Sequence, residues 1–156
     1  MRRRELEIKD KNQIFDIIKK ARICRLAMSD GGIPYIVAMN FGFEESEPPA
    51  LYFHCAGTGK KLDILRRNNL VCFQTEVDAA LVPAENPCGF SMKYKSVVGM
   101  GRARFITDEG EKIKALGLLL KHYSDREPSG FDLKCAARTV VFKVVVTEMS
   151  GKKNGY

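Results

Sequence analysis

Apolar residues recur along this chain with two different periods. Ile14, Phe15, Ile17 and Ile18 share one helical stripe, Asp10 stands at an N-cap position and Gln13 at the capping-box position, so a helix is expected over 10–20. From Ile23 the period falls to two. Ile23, Arg25, Ala27 and Ser29 alternate against Cys24, Leu26 and Met28, and Asp30-Gly31-Gly32 closes that strand with hairpin chemistry. Residues 34–43 read as the returning strand, 44–49 as a polar turn, and Leu51-Tyr52-Phe53-His54-Cys55 as a third strand. Ala56-Gly57-Thr58-Gly59 then breaks the sheet and opens a short helix over 60–68, with Leu62 and Leu65 inward.

The second half repeats this alternation at greater length. Residues 71–77 form a fourth strand signal, 83–89 a looser stretch, and 91–106 a long strand in which Gly99 and Gly101 suggest a bulge or corner. Asp108 and Glu111 cap a helix whose stripe is Ile113, Leu116, Leu120 and Tyr123. A polar loop over 124–132 leads to a last strand over 139–146, and the tail 150–155 reads as frayed. About six strands joined mainly by hairpins, with three helices between them, predict a mainly β fold, a small antiparallel barrel with helical decoration. A doubly wound parallel sheet fits poorly, because no helix separates the first three strands.

Length and charge narrow the class further. At 156 residues one domain over 1–156 is expected, and 45% apolar residues can close a core without staples. No apolar run reaches the ~20 residues of a membrane-spanning helix. The start, Met1-Arg2-Arg3-Arg4-Glu5-Leu6-Glu7, has a charged head with no apolar stretch behind it, so a cytoplasmic protein without a membrane partner is expected. Cys24, Cys55, Cys72, Cys88 and Cys135 are odd in number and lack C-x-x-C spacing, which points to reduced, mostly buried thiols. The net charge of +7, from 26 Lys+Arg against 19 Asp+Glu, favours polyanions or phosphorylated small molecules as partners.

The richest candidate chemistry lies in residues 51–65, where a strand passes through a Gly-rich turn into a helix start. The first turn of a helix offers unpaired N–H groups and the positive end of the macrodipole. Thr58 adds a hydroxyl there and Lys60 and Lys61 add two adjacent charges, so phosphate is the natural occupant. The competing description is a surface helix with a threonine cap and two solvated lysines. The turn is not a Walker A loop, since His54 stands at its first glycine position and Lys61 at its hydroxyl position. His54, at the strand end beside this turn, is a candidate hydrogen-bond or proton donor or a covalent handle, against the alternative of a histidine satisfied by local backbone. His122 reads as an ordinary helix residue, and two histidines without clustered thiols or carboxylates make no metal site. The basic strand around Lys93-Tyr94-Lys95 could serve nucleic acid, but the aromatics are scattered and read as core, so no nucleic-acid partner is expected.

Three segments together carry a resemblance. Residues 33–41 (Ile33-Pro34-Tyr35-Ile36-Val37-Ala38-Met39-Asn40-Phe41), Leu51-Tyr52-Phe53-His54 with Gly59-Lys60-Lys61-Leu62, and Tyr94-Lys95-Ser96-Val97-Val98-Gly99-Met100-Gly101 are similar to the flavin-binding split-barrel proteins named after pyridoxamine 5'-phosphate oxidase. Within them the chain most resembles the nitroimidazole-resistance branch. The resemblance implies a six-stranded antiparallel split β-barrel of Greek-key type, a homodimer, and FMN in a groove at the dimer interface. It places the cofactor phosphate on Thr58, Lys60 and Lys61, the isoalloxazine along Ile36, Val37, Ala38, Met39 and Asn40, His54 beside the ring as the catalytic residue, and Ser96 and Val97 across the site. The ending Glu148-Met149-Ser150-Gly151-Lys152-Lys153 lacks the arginine-rich signature of the oxidase proper, so pyridoxamine phosphate oxidation is not expected. The implied activity passes electrons from a reduced nicotinamide or similar donor through FMN to a small electrophilic acceptor such as a nitroaromatic. The alternative is a non-catalytic flavin- or haem-binding sensor of the same fold.

Overall fold

In the computed structural model, which describes residues 3–126 and 138–156, each helix begins where a side chain or a glycine frees the backbone to turn. A two-residue strand β1 (Glu7–Ile8) leads to Asp10, whose carboxylate accepts from the Asn12 N–H and opens α1 (Lys11–Lys20). The helix buries Ile14, Phe15, Ile17 and Ile18, the predicted stripe. β2 (Cys24–Asp30) and β3 (Ile33–Met39) pair from Asp30↔Ile33 to Cys24↔Met39. Their turn is Gly31-Gly32 with φ of 57° and 90°, which L side chains rarely adopt, so glycine is required at both positions.

The chain continues through β4 (Gly42–Glu44), β5 (Ala50–Cys55), α2 (Lys60–Arg67), β6 (Leu70–Val82), β7 (Ser91–Ile106), α3 (Glu109–Tyr123) and β8 (Val140–Asn154). All pairings are antiparallel in one sheet of order β3-β2-β6-β7-β8-β5-β4, with β1 added beside β8. β2, β3, β5, β6, β7 and β8 are the six long strands the alternation predicted, except that the expected 34–43 strand ends at Met39 and residues 42–44 form the separate β4; β1 is too short to show a period. The architecture is a mainly β split barrel with helical decoration.

Alternate positions build the interior. Leu26, Phe73, Val97, Val144 and Phe53 face one main core, into which α1 delivers Ile14, Ile17 and Ile18. Phe53 stacks on Phe142 with ring centroids 5.2 Å apart. A smaller core under α3 joins Ala50, Tyr52, Ile106 and Val141 to Ala115. The buried face of α3 is Ala115, Gly117 and Leu119, while the predicted stripe of Ile113, Leu116, Leu120 and Tyr123 is only half-buried on its flanks. The helix lies close on β4 at this point, where a Cβ on Gly42 would lie 2.8 Å from the backbone of Leu118 and Leu119, and Ala115 packs on Ala50, Tyr52, Ile106 and Val141. His122 is structural, as expected. Its Nε2 lies 2.7 Å from the Ala21 carbonyl and its ring 4.3 Å from that of Phe41.

Three expectations change. The tail is not frayed, because β8 runs to Asn154 and Gly151 pairs with both Ile8 and Val97. β6 continues past Val77 through an irregularity where Asp78 has φ 57°. Of the described cysteines only Cys24 is buried, its thiol pushed up to about 12 by desolvation; Cys55 and Cys72 are half-buried and Cys88 is exposed, all with free thiols. Cys135, Arg2 and most of the 124–132 loop lie outside the described residues. Among those described, no helix is long and apolar enough to cross a membrane.

One polar network pins α3 to the sheet. Lys114 Nζ donates to Glu44 Oε1 at 2.5 Å and the Tyr52 hydroxyl donates to Oε2 at 2.6 Å. Lys114 first, and Tyr52 second, hold the Glu44 carboxyl below its ordinary 4.5. A carboxylate whose folded pKa is lowered stabilises the fold above its unfolded pKa and loses that contribution as pH falls through the folded value. The urea midpoint should therefore drop between about pH 6 and about pH 3, and Glu44→Gln should drop less over that window.

Candidate functional site

The turn between β5 and α2 is made possible by Gly59, whose φ of 135° and ψ of 157° suit glycine alone. Its carbonyl accepts from the N–H groups of Leu62 at 2.9 Å and Asp63 at 3.3 Å, which starts the helix. No side chain caps this end, so Gly59 and not Thr58 is the N-cap. The N–H groups of Lys60 and Lys61 therefore lack intrahelical acceptors, and the positive end of the helix dipole stays open. Leu62, Ile64 and Leu65 anchor the helix in the interior.

This turn forms one wall of a cleft of about 230 Å³. Tyr35 and Val37 of β3 form the facing wall, and Cys55 lies at the end of β5 between them. Lys60 Nζ sits 4.9 Å over the Tyr35 ring, and Lys61 Nζ donates to the Met39 sulfur at 3.5 Å. Among the described residues neither lysine forms an ion pair, although most basic clusters elsewhere do, as Arg66 does with Asp63 and Arg67 with Asp30. Two uncompensated ammonium groups and free helix N–H donors face one small space, which is chemistry suited to a phosphate.

β3 ends the sheet order, so its outer backbone edge has no strand partner among the described residues. Its side chains divide by alternation. Tyr35, Val37 and Met39 turn toward the cleft and core, whereas Ile36 and Ala38 turn to the opposite, outer face, where Ile36 is 60% exposed. Asn40 is exposed just beyond the strand. His54 follows the same rule on β5. Leu51 and Phe53 face the main core, Tyr52 and His54 the other side of the sheet, and Cys55 rather than His54 lines the cleft. The His54 Nδ1 is buried without a hydrogen-bond partner. Burial, and then the Lys61 charge, hold its imidazole below the usual 6.5, so it is neutral at neutral pH.

The structure thus brings together Val37, Thr58, Lys60 and Lys61, with Met39 beneath them. Ser96 and Val97 lie on β7, separated from β3 by β2 and β6; Ser96 is half-buried on the outer face and Val97 is fully buried in the core. That outer face is continuous by register. Ile36, Ala27, Cys72 and Met100 form one row, and Ala38, Arg25, Gln74 and Val98 the next. Arg25 donates to Glu76 at 2.7 Å and to Gln74 at 3.2 Å at its centre, while Val98 is 43% exposed. No cluster of His, Cys, Asp or Glu among the described residues could hold a metal ion.

The model of one protein family, described as pyridoxamine 5'-phosphate oxidase, matches residues 10–153. The chain belongs to that family. A solved structure from Bacteroides thetaiotaomicron VPI-5482, named for 5-nitroimidazole antibiotic resistance, is 35% identical with a TM-score of 0.83, over 95% of this chain and 86% of that one. Two more distant structures share the fold. A flavocytochrome of Azotobacter vinelandii is 21% identical with a TM-score of 0.80, over 100% of this chain and 72% of its own, and an FAD and heme binding protein of Mycobacterium smegmatis is 16% identical with a TM-score of 0.79, over 96% and 74%. No curated protein matches the sequence. In this oxidase-family chain Tyr35 and Cys55 also line the cleft, beyond the expected site residues. Two-residue alternation from Val37 reaches Tyr35, and alternation from Phe53 reaches Cys55, so the signal was present.

Proposed function

We propose that this protein binds FMN and passes electrons through it to a small electrophilic acceptor, of which a nitroaromatic ring is the leading class. The observation that carries the reading is the pair of unpaired lysines at the uncapped start of α2, facing the open edge of β3. The residues fit the cofactor's terminal phosphate. Lys60, Lys61, the Thr58 hydroxyl and the first N–H groups of α2 supply donors, the first-turn Asp63 carboxylate is paired with Arg66, and Gly59 keeps the approach clear, since nothing lies within 4 Å of where its Cβ would be. A cleft of about 230 Å³ takes the phosphate end, and the outer-edge backbone groups of β3 within residues 36–40, those not used in pairing with β2, offer donors and acceptors to a ring edge. The solved neighbours named as flavoproteins, and the neighbour named for nitroimidazole resistance, are consistent with this assignment.

A second copy completes the site in this reading. The outer face of β3, β2, β6 and β7 exposes Ile36 and Val98 around the half-buried Arg25–Glu76 pair, the composition of a self-associating sheet face. Ser96 lies on that same face, where it could border a groove between two protomers, while Val97 beside it is packed inward. Bound flavin supplies the redox chemistry, with reduced nicotinamide as the donor. The chain supplies orientation and charge. Lys60 and Lys61 neutralise the phosphate, and neutral, half-buried His54, on the face of β5 away from the phosphate cleft, is the group assigned to hydrogen-bond or protonate the acceptor as negative charge develops on it.

The direct test is purification followed by release and identification of any yellow chromophore. His54→Ala is expected to retain FMN and to lower nitroaromatic reduction about a hundredfold, the size of a lost proton donor. Full turnover in that variant removes His54 from the mechanism. FMN binding with no turnover for any donor and acceptor pair assigns the chain to flavin storage or sensing instead.

A further inference from the structure

β3 holds both ammonium groups of the cleft from the opposite wall. Lys60 Nζ lies 4.9 Å over the ring of Tyr35, and Lys61 Nζ lies 3.5 Å from the sulfur of Met39. Tyr35, Val37 and Met39 share one side of the strand, so both contacts come from a single register of a single edge strand. Lys60 is exposed and Tyr35 half-buried. A free lysine has four rotatable bonds, and a ligand that captures it must restrict them. A ring face occupies one side of the ammonium and leaves donors on the other side pointing outward, toward the cleft. Restricting the lysine before the ligand arrives lowers the entropic cost of binding.

We infer that Tyr35 is a positioning residue of the anion site: its ring face holds the Lys60 ammonium over the cleft and so raises the preference for phosphorylated flavin over flavin without phosphate. The inference rests on the reading of the cleft as the FMN phosphate site. The hydroxyl of Tyr35 plays no part in it; the ring face does, so phenylalanine preserves the function and leucine does not.

Titrating the full chain with FMN and with riboflavin, by quenching of flavin fluorescence, separates these claims. The wild type binds FMN more tightly than riboflavin. Tyr35→Leu weakens FMN about three- to fivefold, the scale of a partly exposed cation–π contact, with riboflavin affinity unchanged. Tyr35→Phe behaves as wild type, and Tyr35→Leu added to Lys60→Ala costs nothing further. Equal losses for both flavins, failure of phenylalanine to rescue, or a full loss persisting without Lys60 each overturn the role of Tyr35. Wild-type protein that binds neither flavin, or binds both alike, overturns the cofactor reading and the inference with it. Wild-type discrimination left intact by Tyr35→Leu overturns the inference alone.

Discussion

Replacing Lys60 and Lys61 together by alanine lowers FMN affinity by at least about a hundredfold and leaves the fold standing. Each lysine can make a charge-assisted hydrogen bond worth about 1.5–3 kcal/mol to a phosphate oxygen, so losing two costs roughly a factor of 10² to 10⁴. Lys60 is exposed and Lys61 half-buried, which places the expectation at the lower end and makes it depend on salt. Stability should hardly change. Among the described residues neither side chain is part of an ion pair, and the buried anchors of α2 are Leu62, Ile64 and Leu65. Fluorescence titration at low and high salt checks both statements. The wild type should lose affinity as salt rises, the double variant much less, and equal affinity of the two proteins would refute the assignment of the phosphate.

Gly101→Ala destabilises the sheet strongly through a single added methyl. A Cβ at that position would lie 2.5 Å from the Val145 carbonyl oxygen and 2.6 Å from Val144 Cγ1. The first of these is backbone in the neighbouring strand, so no rotamer change relieves it. The register between β7 and β8 is already irregular between Met100 and Gly101, and the glycine lets the two strands close there. Overpacking of this kind costs about 3 kcal/mol, or about 6–12 °C in Tm for a chain of this length. Thermal unfolding followed by circular dichroism measures it. A Gly57→Ala control, where a Cβ meets nothing within 4 Å, should melt within a few degrees of wild type.

The two cases differ in how far the sequence revealed them. The helix starts at Asp10 and Asp108 were legible because a carboxylate followed by a helical stripe is a local signal; both side chains accept the capping bonds, from Asn12 and Glu111. The anion turn was legible because Gly-x-Gly-Lys-Lys between a strand and a helix needs no distant partner to be read. The end of β8 was not. Ser150-Gly151-Lys152-Lys153 has no apolar period, and it is held by neighbours remote in sequence: Gly151 packs on Ile8 and Ile14, and Lys152 donates to the Tyr94 hydroxyl at 2.8 Å. The inward face of α3 is set by a similarly remote contact, the close approach of Gly42 to the backbone of Leu118 and Leu119, which the helical period alone does not reveal. Within the site, strand alternation decides which side chains reach the cleft. It puts Tyr35 and Cys55 there and turns His54, Ile36 and Ala38 the other way.

The bare margin of β3 has a bearing on how the protein behaves in a cell. A strand with unsatisfied backbone groups, flanked by Ile33 at 68% and Ile36 at 60% exposure, is a template on which identical strands can stack. Cover that margin and it is quiet; leave it bare and it recruits. If the proposed flavin covers that margin, riboflavin supplied to a vitamin-starved culture would move the overproduced chain from the insoluble pellet into the clarified lysate.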